Sequence, residues 1–550
     1  MRKTIPTCDE VRTKICRWFN PTALNAGRLR DTLVGVLVTV GLAEVCLYRL
    51  LHHHIAAGEL PSYIADILIV VYLVIEACVS PLVSWWGYRA RRRMLLIWST
   101  ALTACLAAWF LLRTPAEVDA GLCITSTPES RYSAARLVIL LASAPVLAAA
   151  RAAVWCHGLA YIEDHAPDKT PVQFSAFVLT RVVPLVVGMG LMAILVDSNL
   201  PAQVAIFAVG LALNVVQLMT IIPKQDPNVE GVVKSPPPMN DRAFFASVCR
   251  VVRNPLLTSQ VLAISLLAAA LWTYGYYRND VIKVKYNMVV NRSNISNFTE
   301  ILMYSFVMLV VTFQSTRLSP PLWARWSNTK GVTQALMPAV LALVTMVLLM
   351  LLTDCEPGTM VTEPRNCSLE CGCADRYLAF SPVCVLDGLT TYPSACLAGC
   401  STQEAVDGLS VYVNCTCGGR AVSGACGADR CSAAFGLHQM LFVVIVPAAI
   451  SAIATHGAVA VRVADARDRA VALGVGSAMI ALVLAVAHTY LAAVTSNMCA
   501  LFAGGVCVVP SVGLPQLVGI SSAVLLALSC LISTIVCLRL WRTKRTDIEI

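Results

Sequence analysis

Cysteine is the residue whose spacing carries the most chemistry in this 550-residue chain. Eleven of its 23 cysteines fall between Cys355 and Cys431, in the core pattern Cys367-x3-Cys371-x-Cys373-x10-Cys384-x11-Cys396-x3-Cys400-x14-Cys415-x-Cys417. Two chemistries use such density, disulfide formation and zinc ligation. Close Cys-x-Cys pairs suit zinc, but thiolates exposed outside a cell oxidise. The segment therefore predicts a disulfide-stapled module facing an oxidising compartment. Each bridge contributes about 2–4 kcal/mol to a domain too small to bury a full core.

A second set of reactive groups lies inside apolar stretches: Glu44, Asp66, Glu76, Arg151 and Arg181. A charge at mid-membrane costs about 2.5–3.5 kcal/mol on insertion scales, so each calls for a function or a partner. Arginine holds a carboxylate, sulfate or sulfonate through two parallel hydrogen bonds, which makes Arg151 and Arg181 candidate anion clamps. The structural alternative for Arg151 is a salt bridge to Glu44 or Glu76. Arg181 lies about two turns from the inner end of its segment, where snorkelling or gate pairing is also expected. His488 can titrate between about pH 5 and 8, or simply pack through a hydrogen bond. Trp272, Tyr274, Tyr276 and Tyr277 can stack on a steroid-like substrate; for Tyr276 and Tyr277 an interfacial belt is the expected role. His438 and His456 are weaker candidates, and His52, His53 and His54 read as a solvated cluster.

These groups need membrane spans to position them. The chain is 57% hydrophobic and 13% charged, against about 25% charged in soluble domains, and its mean hydropathy is +0.71. About 20 apolar residues cross a bilayer as a helix. Twelve segments qualify: 32–51, 62–85, 94–112, 134–158, 173–195, 202–222, 256–277, 300–316, 333–352, 435–456, 470–493 and 512–538. The polar, basic stretch before the first has no cleavable-signal pattern, so that span acts as its own insertion signal. With both termini cytoplasmic, the inner segments hold 27 Lys and Arg against 10 in the outer loops, the expected bias. Glycosylation sequons at Asn291, Asn294 and Asn297, and at Asn366 and Asn414 in the cysteine module, fall in two outer loops and agree. The net charge of +9 follows this loop asymmetry and implies no nucleic-acid partner. Residues 223–255, rich in proline, read as a cytoplasmic linker between six-helix halves, the plan of major facilitator transporters.

The stretch from Ser381 to Cys400, with Asp387-Gly388 and Tyr392-Pro393 inside it, resembles a Kazal-type fold. It is similar to the variant that organic-anion-transporting polypeptides carry between spans 9 and 10. Other fragments resemble that family in register: Trp86-Gly87-Tyr88-Arg89-Ala90-Arg91-Arg92-Arg93 after span 2, Tyr161-Ile162-Glu163-Asp164 after span 4, Asn254-Pro255 opening span 7, Arg462-Val463, Ala472 to Val475, and Cys499 with Cys507. Nearly the whole chain is covered. The chain is identified as a divergent member. No tryptophan lies in Ser198 to Gln203, directly after Asp197, no arginine lies between Gly476 and Leu482, and Ala487-His488-Thr489 replaces a Pro-x-Pro.

The resemblance implies an all-α membrane protein of twelve helices, major facilitator type. Its parts are an N-terminal segment (1–31), halves at 32–222 and at 256–352 with 435–538, the linker, a Kazal-like module (353–434) and a tail (539–550). It implies bridges Cys367–Cys400, Cys373–Cys396 and Cys384–Cys417. Cys355, Cys371, Cys415, Cys426 and Cys431 then remain, an odd set, so one is left over or pairs outside the module. Gly87, Arg89, Arg91, Arg92 and Arg93 clamp neighbouring inner helix ends, with Glu163 and Asp164 as partners. Substrate contacts are expected at Arg151, Arg181, Tyr274 and His488. The implied activity is sodium-independent transport of large amphipathic organic anions across a plasma membrane by alternating access. The alternative is a transport-inactive receptor or scaffold displaying the module. No nucleotide-binding loop is present, and no enzyme, cofactor or metal is expected. Partners are small organic anions, the bilayer, and a cytoplasmic protein docking at Asp547 to Ile550.

Overall fold

The computed structural model describes residues 28, 31–37, 40–41, 63–90, 92–110, 122–123, 134–160, 200–221, 241–288, 302, 306–307, 309, 328–356, 358–363, 366–373, 380–406, 409–465, 467–503 and 506–546. The helices are α1 (Tyr63–Ala90), α2 (Arg92–Phe110), α3 (Ala134–Ala153), α4 (Leu200–Ile221), α5 (Asp241–Arg253), α6 (Pro255–Tyr286), α7 (Asn328–Leu352), α8 (Ser432–Val463), α9 (Arg469–Thr495) and α10 (Leu514–Thr546). Among the described residues, six helices are long and apolar enough to cross a membrane: α1, α6, α7, α8, α9 and α10. Segments 94–112, 134–158 and 202–222 are also largely helical, whereas 173–195 lies outside the described residues and 32–51 and 300–316 are described only in part.

Burial inverts the pattern of a soluble bundle. Met337 and Leu351 on α7 are each 69% exposed and Val486 on α9 is 70% exposed, as lipid-facing residues should be. Interior faces are small: Ala478, Ala481 and Ala485 of α9 pack on Leu73 and Ala77 of α1. Small residues let backbones approach where lipid offers no hydrophobic drive. Among the described helices one close approach is at Gly474, where a Cβ would sit 2.6 Å from Cβ of Ser84 and 2.8 Å from the carbonyl oxygen of Ser80.

Helix α6 carries span 7 and runs past 277 to Tyr286, closing on left-handed Asn287 (φ 53°). Its added polar residues are neutralised: Lys283 pairs with Asp280 at 2.7 Å and Lys285 with Asp354 at 2.8 Å. Within the expected linker 223–255, residues 241–253 form α5.

The module is an antiparallel sheet of β1 (Val383–Val385), β2 (Thr390–Tyr392), β3 (Cys400–Val406), β4 (Leu409–Cys415) and β5 (Arg420–Ser423), ordered β2-β1-β5-β4-β3. Cys373 bonds Cys396, while two implied bridges are corrected. Cys400 faces Cys415 across the β3–β4 register and bonds it, leaving Cys367 to Cys417. Cys384 bonds Cys426, which the chain returns to it after β5, with the Cys426 amide donating to Thr391 Oγ1. Cys355 bonds Cys431, stapling the end of α7 to the start of α8. The odd cysteine is Cys371, which bonds Cys123 between α2 and α3. The hairpin of β6 (Cys499–Ala503) and β7 (Val506–Pro510), bridged by Cys499–Cys507, packs its Leu501 and Val509 into the module core. Asn366 and Asn414 are exposed on the module; Asn291, Asn294 and Asn297 lie outside the described residues.

Candidate functional site

The contact between α1 and α9 joins the first and second halves of the chain, and it carries charged groups at two depths. At mid-depth Glu76, 3% exposed, accepts from Arg151 Nη1 at 3.0 Å and from Ser477 Oγ at 3.3 Å. The Arg151 guanidinium lies 5.0 Å from the Tyr72 ring centroid. Immediately after Arg151, α3 loosens into a π-helical turn, Val154–Gly158, whose His157 Nε2 is 2.9 Å from the carbonyl oxygen of Val83. Such turns interrupt the i→i−4 ladder and occur often at functional sites. Of the two readings of Arg151, its ion pair with Glu76 is thus present. Glu44 and Arg181 lie outside the described residues.

Nearer the module end, Asp66 Oδ1 accepts from Tyr276 OH at 2.7 Å. His488 Nε2 stands 3.2 Å from the same oxygen, at ion-pair distance but not aligned as a hydrogen bond. Trp272 Nε1 donates to His488 Nδ1 at 3.4 Å. An indole only donates, so Nδ1 is the acceptor in this contact. Tyr276 meets the His488 ring edge-on at 4.8 Å.

The belt reading of Tyr276 and Tyr277 is corrected: Tyr276 bonds Asp66, and Tyr277 is 6% exposed and accepts from Thr495 Oγ1 at 3.3 Å. Tyr274, 2% exposed, sits between α6 and α8 with its OH 2.7 Å from His438 Nε2. One turn on, Arg278, 8% exposed, donates to Gln439 Oε1 at 2.5 Å and lies over the Phe442 ring. Sequence reasoning placed Arg278 in an outer loop; the apolar Val281-Ile282 after it is the signal that the helix continues. His456 is a packing residue between Gln260 Oε1 at 2.7 Å and Ser533 Oγ at 3.3 Å.

At the opposite end, Gly87 and Arg89 fall on the last turns of α1, and Arg92 and Arg93 on the first turn of α2. Arg91, Glu163 and Asp164, the other members of the expected clamp, lie outside the described residues. A different one is visible. Asp468, just before α9, accepts from Arg250 Nε at 2.8 Å, Arg250 Nη2 at 2.9 Å and Ser247 Oγ at 2.5 Å. Burial alone would raise its pKa, but these hydrogen bonds outweigh burial and hold Asp468 below the ordinary carboxylate value. The Asp468 hydrogen bond likewise raises Arg250, against the opposing pull of burial. Phe244 of α5 packs edge-on against Trp85 of α1, ring centroids 5.6 Å apart. Among the described residues no cluster of three or more His, Cys, Asp or Glu could hold a metal.

Long apolar helices, ion pairs buried between them and a disulfide-bonded cap define a multi-pass membrane protein. The chain belongs to the Organic Anion Transporter Polypeptide (OATP) family, whose sequence profile matches residues 212–508, from within α4 to the β6–β7 hairpin. Among solved structures, that of the human organic anion transporter MFSD10 (TETRAN) is similar, with a TM-score of 0.49, 11% identity, and coverage of 91% of this chain and 100% of that one. No curated protein matches the chain.

Proposed function

We propose that the protein is a secondary transporter of large amphipathic organic anions, working by alternating access between two six-helix halves of major facilitator type. Family membership supports the substrate class, and one observation carries the mechanism. The Arg151–Glu76 pair is buried where α3, α1 and α9 meet. A buried arginine is held neutral overall by its carboxylate, and removing that partner without replacement is costly. A substrate carboxylate, sulfate or sulfonate supplies the replacement, taking two guanidinium donors while Glu76 keeps Ser477. Arg181 serves as a second cation, and Tyr274 and His488 complete the contacts to substrate.

Rocking of the halves closes one end of the α1–α9 contact as it opens the other. Asp66 with Tyr276 and His488 latches the module end. The loop of Gly87, Arg89, Arg91, Arg92 and Arg93, with Glu163 and Asp164, latches the opposite end. The module is Kazal-like and extracellular, glycosylated at Asn291, Asn294, Asn297, Asn366 and Asn414, and both termini face the cytosol at the plasma membrane. Sodium independence follows from the family resemblance.

A receptor role is favoured by one feature, the absence of an arginine between Gly476 and Leu482. Surface-matched cells expressing the chain separate the two readings. Saturable uptake of a fluorescent organic anion above untransfected cells supports the carrier. Module-dependent ligand binding without uptake supports the receptor.

A further inference from the structure

Helix α5 presents three different faces around its circumference. Ser247 and Val251 are buried against the bundle, where Val251 and Val248 join Val471 and Ala472 of α9. Next to that face lies a strip with Phe245 64% exposed, Val252 50% exposed and an exposed free Cys249. Their spacing of four and three residues sets them on one line along the helix. Beyond the strip come the basic residues: Arg250, whose side chain is 59% exposed, and exposed Arg253. The chain is extended at Asn254 (φ −78°, ψ 103°) before its side chain caps α6. So α5 is a separate helix docked at the very start of a membrane span.

An apolar strip flanked by arginines at the end of a span has the composition of a helix lying in the membrane interface. We propose that α5 is an in-plane helix that binds anionic phospholipid of the inner leaflet. Phe245, Cys249 and Val252 enter the acyl boundary, and Arg250 and Arg253 take headgroup phosphates. Charge complementarity selects this occupant over a cytosolic protein, because two arginines lie beside the apolar strip and a single residue, Asn254, separates α5 from the start of the α6 span. The guanidinium of Arg250 has five donors, and Asp468 takes two, so one side chain can hold Asp468 and a phosphate together. Anionic lipid then steadies the contact between α5 and the inner ends of α1 and α9. The proposal rests on the cytoplasmic placement of the linker, which antibody access to a tag at 230–235 reports separately.

Hydrogen–deuterium exchange of the full chain in nanodiscs tests it. Amides of 241–253 should exchange about fivefold more slowly with phosphatidylserine present than in phosphatidylcholine alone, the factor that one arginine near an anionic surface supplies. Free glycerophosphoserine added to phosphatidylcholine discs should give no slowing. Phe245→Gln with Arg253→Gln should abolish the effect while α6 keeps its protection; if that double variant loses α6 protection, Arg253→Gln alone should reduce the effect and Arg253→Lys should keep it. Equal exchange in the two lipids would overturn the proposal. So would slowing that survives the substitutions, slowing by the free headgroup, or slowing that needs cytosolic extract and not phosphatidylserine.

Discussion

His488 Nε2 of α9 stands 3.2 Å from Asp66 Oδ1 of α1, so an imidazole in the second half of the chain faces a carboxylate in the first. The same oxygen holds Tyr276 OH from α6 at 2.7 Å. Three helices converge on one carboxylate at the module end. Under the proposed mechanism this contact must break whenever that end opens.

Tyr276→Phe removes the shorter of the two contacts and keeps the ring packing. A hydrogen bond to a charged group contributes about 1.5–3 kcal/mol. Even the lower figure shifts a two-state equilibrium roughly tenfold toward the open module end. A cysteine introduced at Ala65, which is 4% exposed, should react about tenfold faster with a membrane-impermeant thiol reagent. An unchanged labelling rate removes the latch role from Tyr276.

The Glu76–Arg151 pair makes a sharper forecast. Glu76→Gln leaves a buried guanidinium without its carboxylate, a change that typically costs about 3–5 kcal/mol. Surface expression should fall, and a bound organic anion should restore the thermal stability of the purified variant more than that of the wild type. Equal stabilisation of the two proteins by the anion would show that substrate does not replace the Glu76 charge.

Much of this site was legible as residue types and little of it as partnerships. Asp66, Glu76, Arg151 and His488 stand out because charge and imidazole are rare in apolar segments. Nothing local in the sequence says that residues 66 and 488 meet, since that contact follows from how α1 packs on α9. The module shows the same division. Its cysteine density announced disulfides, but Cys400 bonds Cys415 because β3 and β4 set them opposite each other. Helix α5 was hidden by the prolines before it, since 223–255 reads as a proline-rich linker and its last third is helical.

The Cys123–Cys371 bond ties the loop after α2 to the module and so links the two halves covalently. Cleavage at a protease site inserted at 230–235 should yield two fragments that comigrate until reductant is added. Cys123→Ser with Cys371→Ser should let them separate without reductant and should lower stability by about 2–5 kcal/mol, as loss of a native bridge typically does. Separation of the wild-type fragments before reduction would place Cys371 in another bond.

Asp468 predicts acid sensitivity with a definite sign. Its pKa is lower in the folded protein than in the unfolded chain. The unfolded chain therefore binds the proton first, starting from the usual aspartate value of about 3.9. The stabilisation is complete above that value and is lost as pH falls through the lower folded value. Asp468→Asn should flatten this acid limb in thermal unfolding of the purified protein. An acid limb as steep as the wild type's would assign the effect to other carboxylates.

The claim that Arg151 receives the substrate's anionic group is tested most directly by initial-rate uptake of a sulfated steroid into cells with matched surface levels of wild type and Arg151→Ala. The account predicts saturable uptake by the wild type and a loss of at least about tenfold in kcat/KM in the variant, the worth of one charge-assisted contact at about 1.4 kcal/mol or more. Uptake by Arg151→Ala equal to that of the wild type would contradict it.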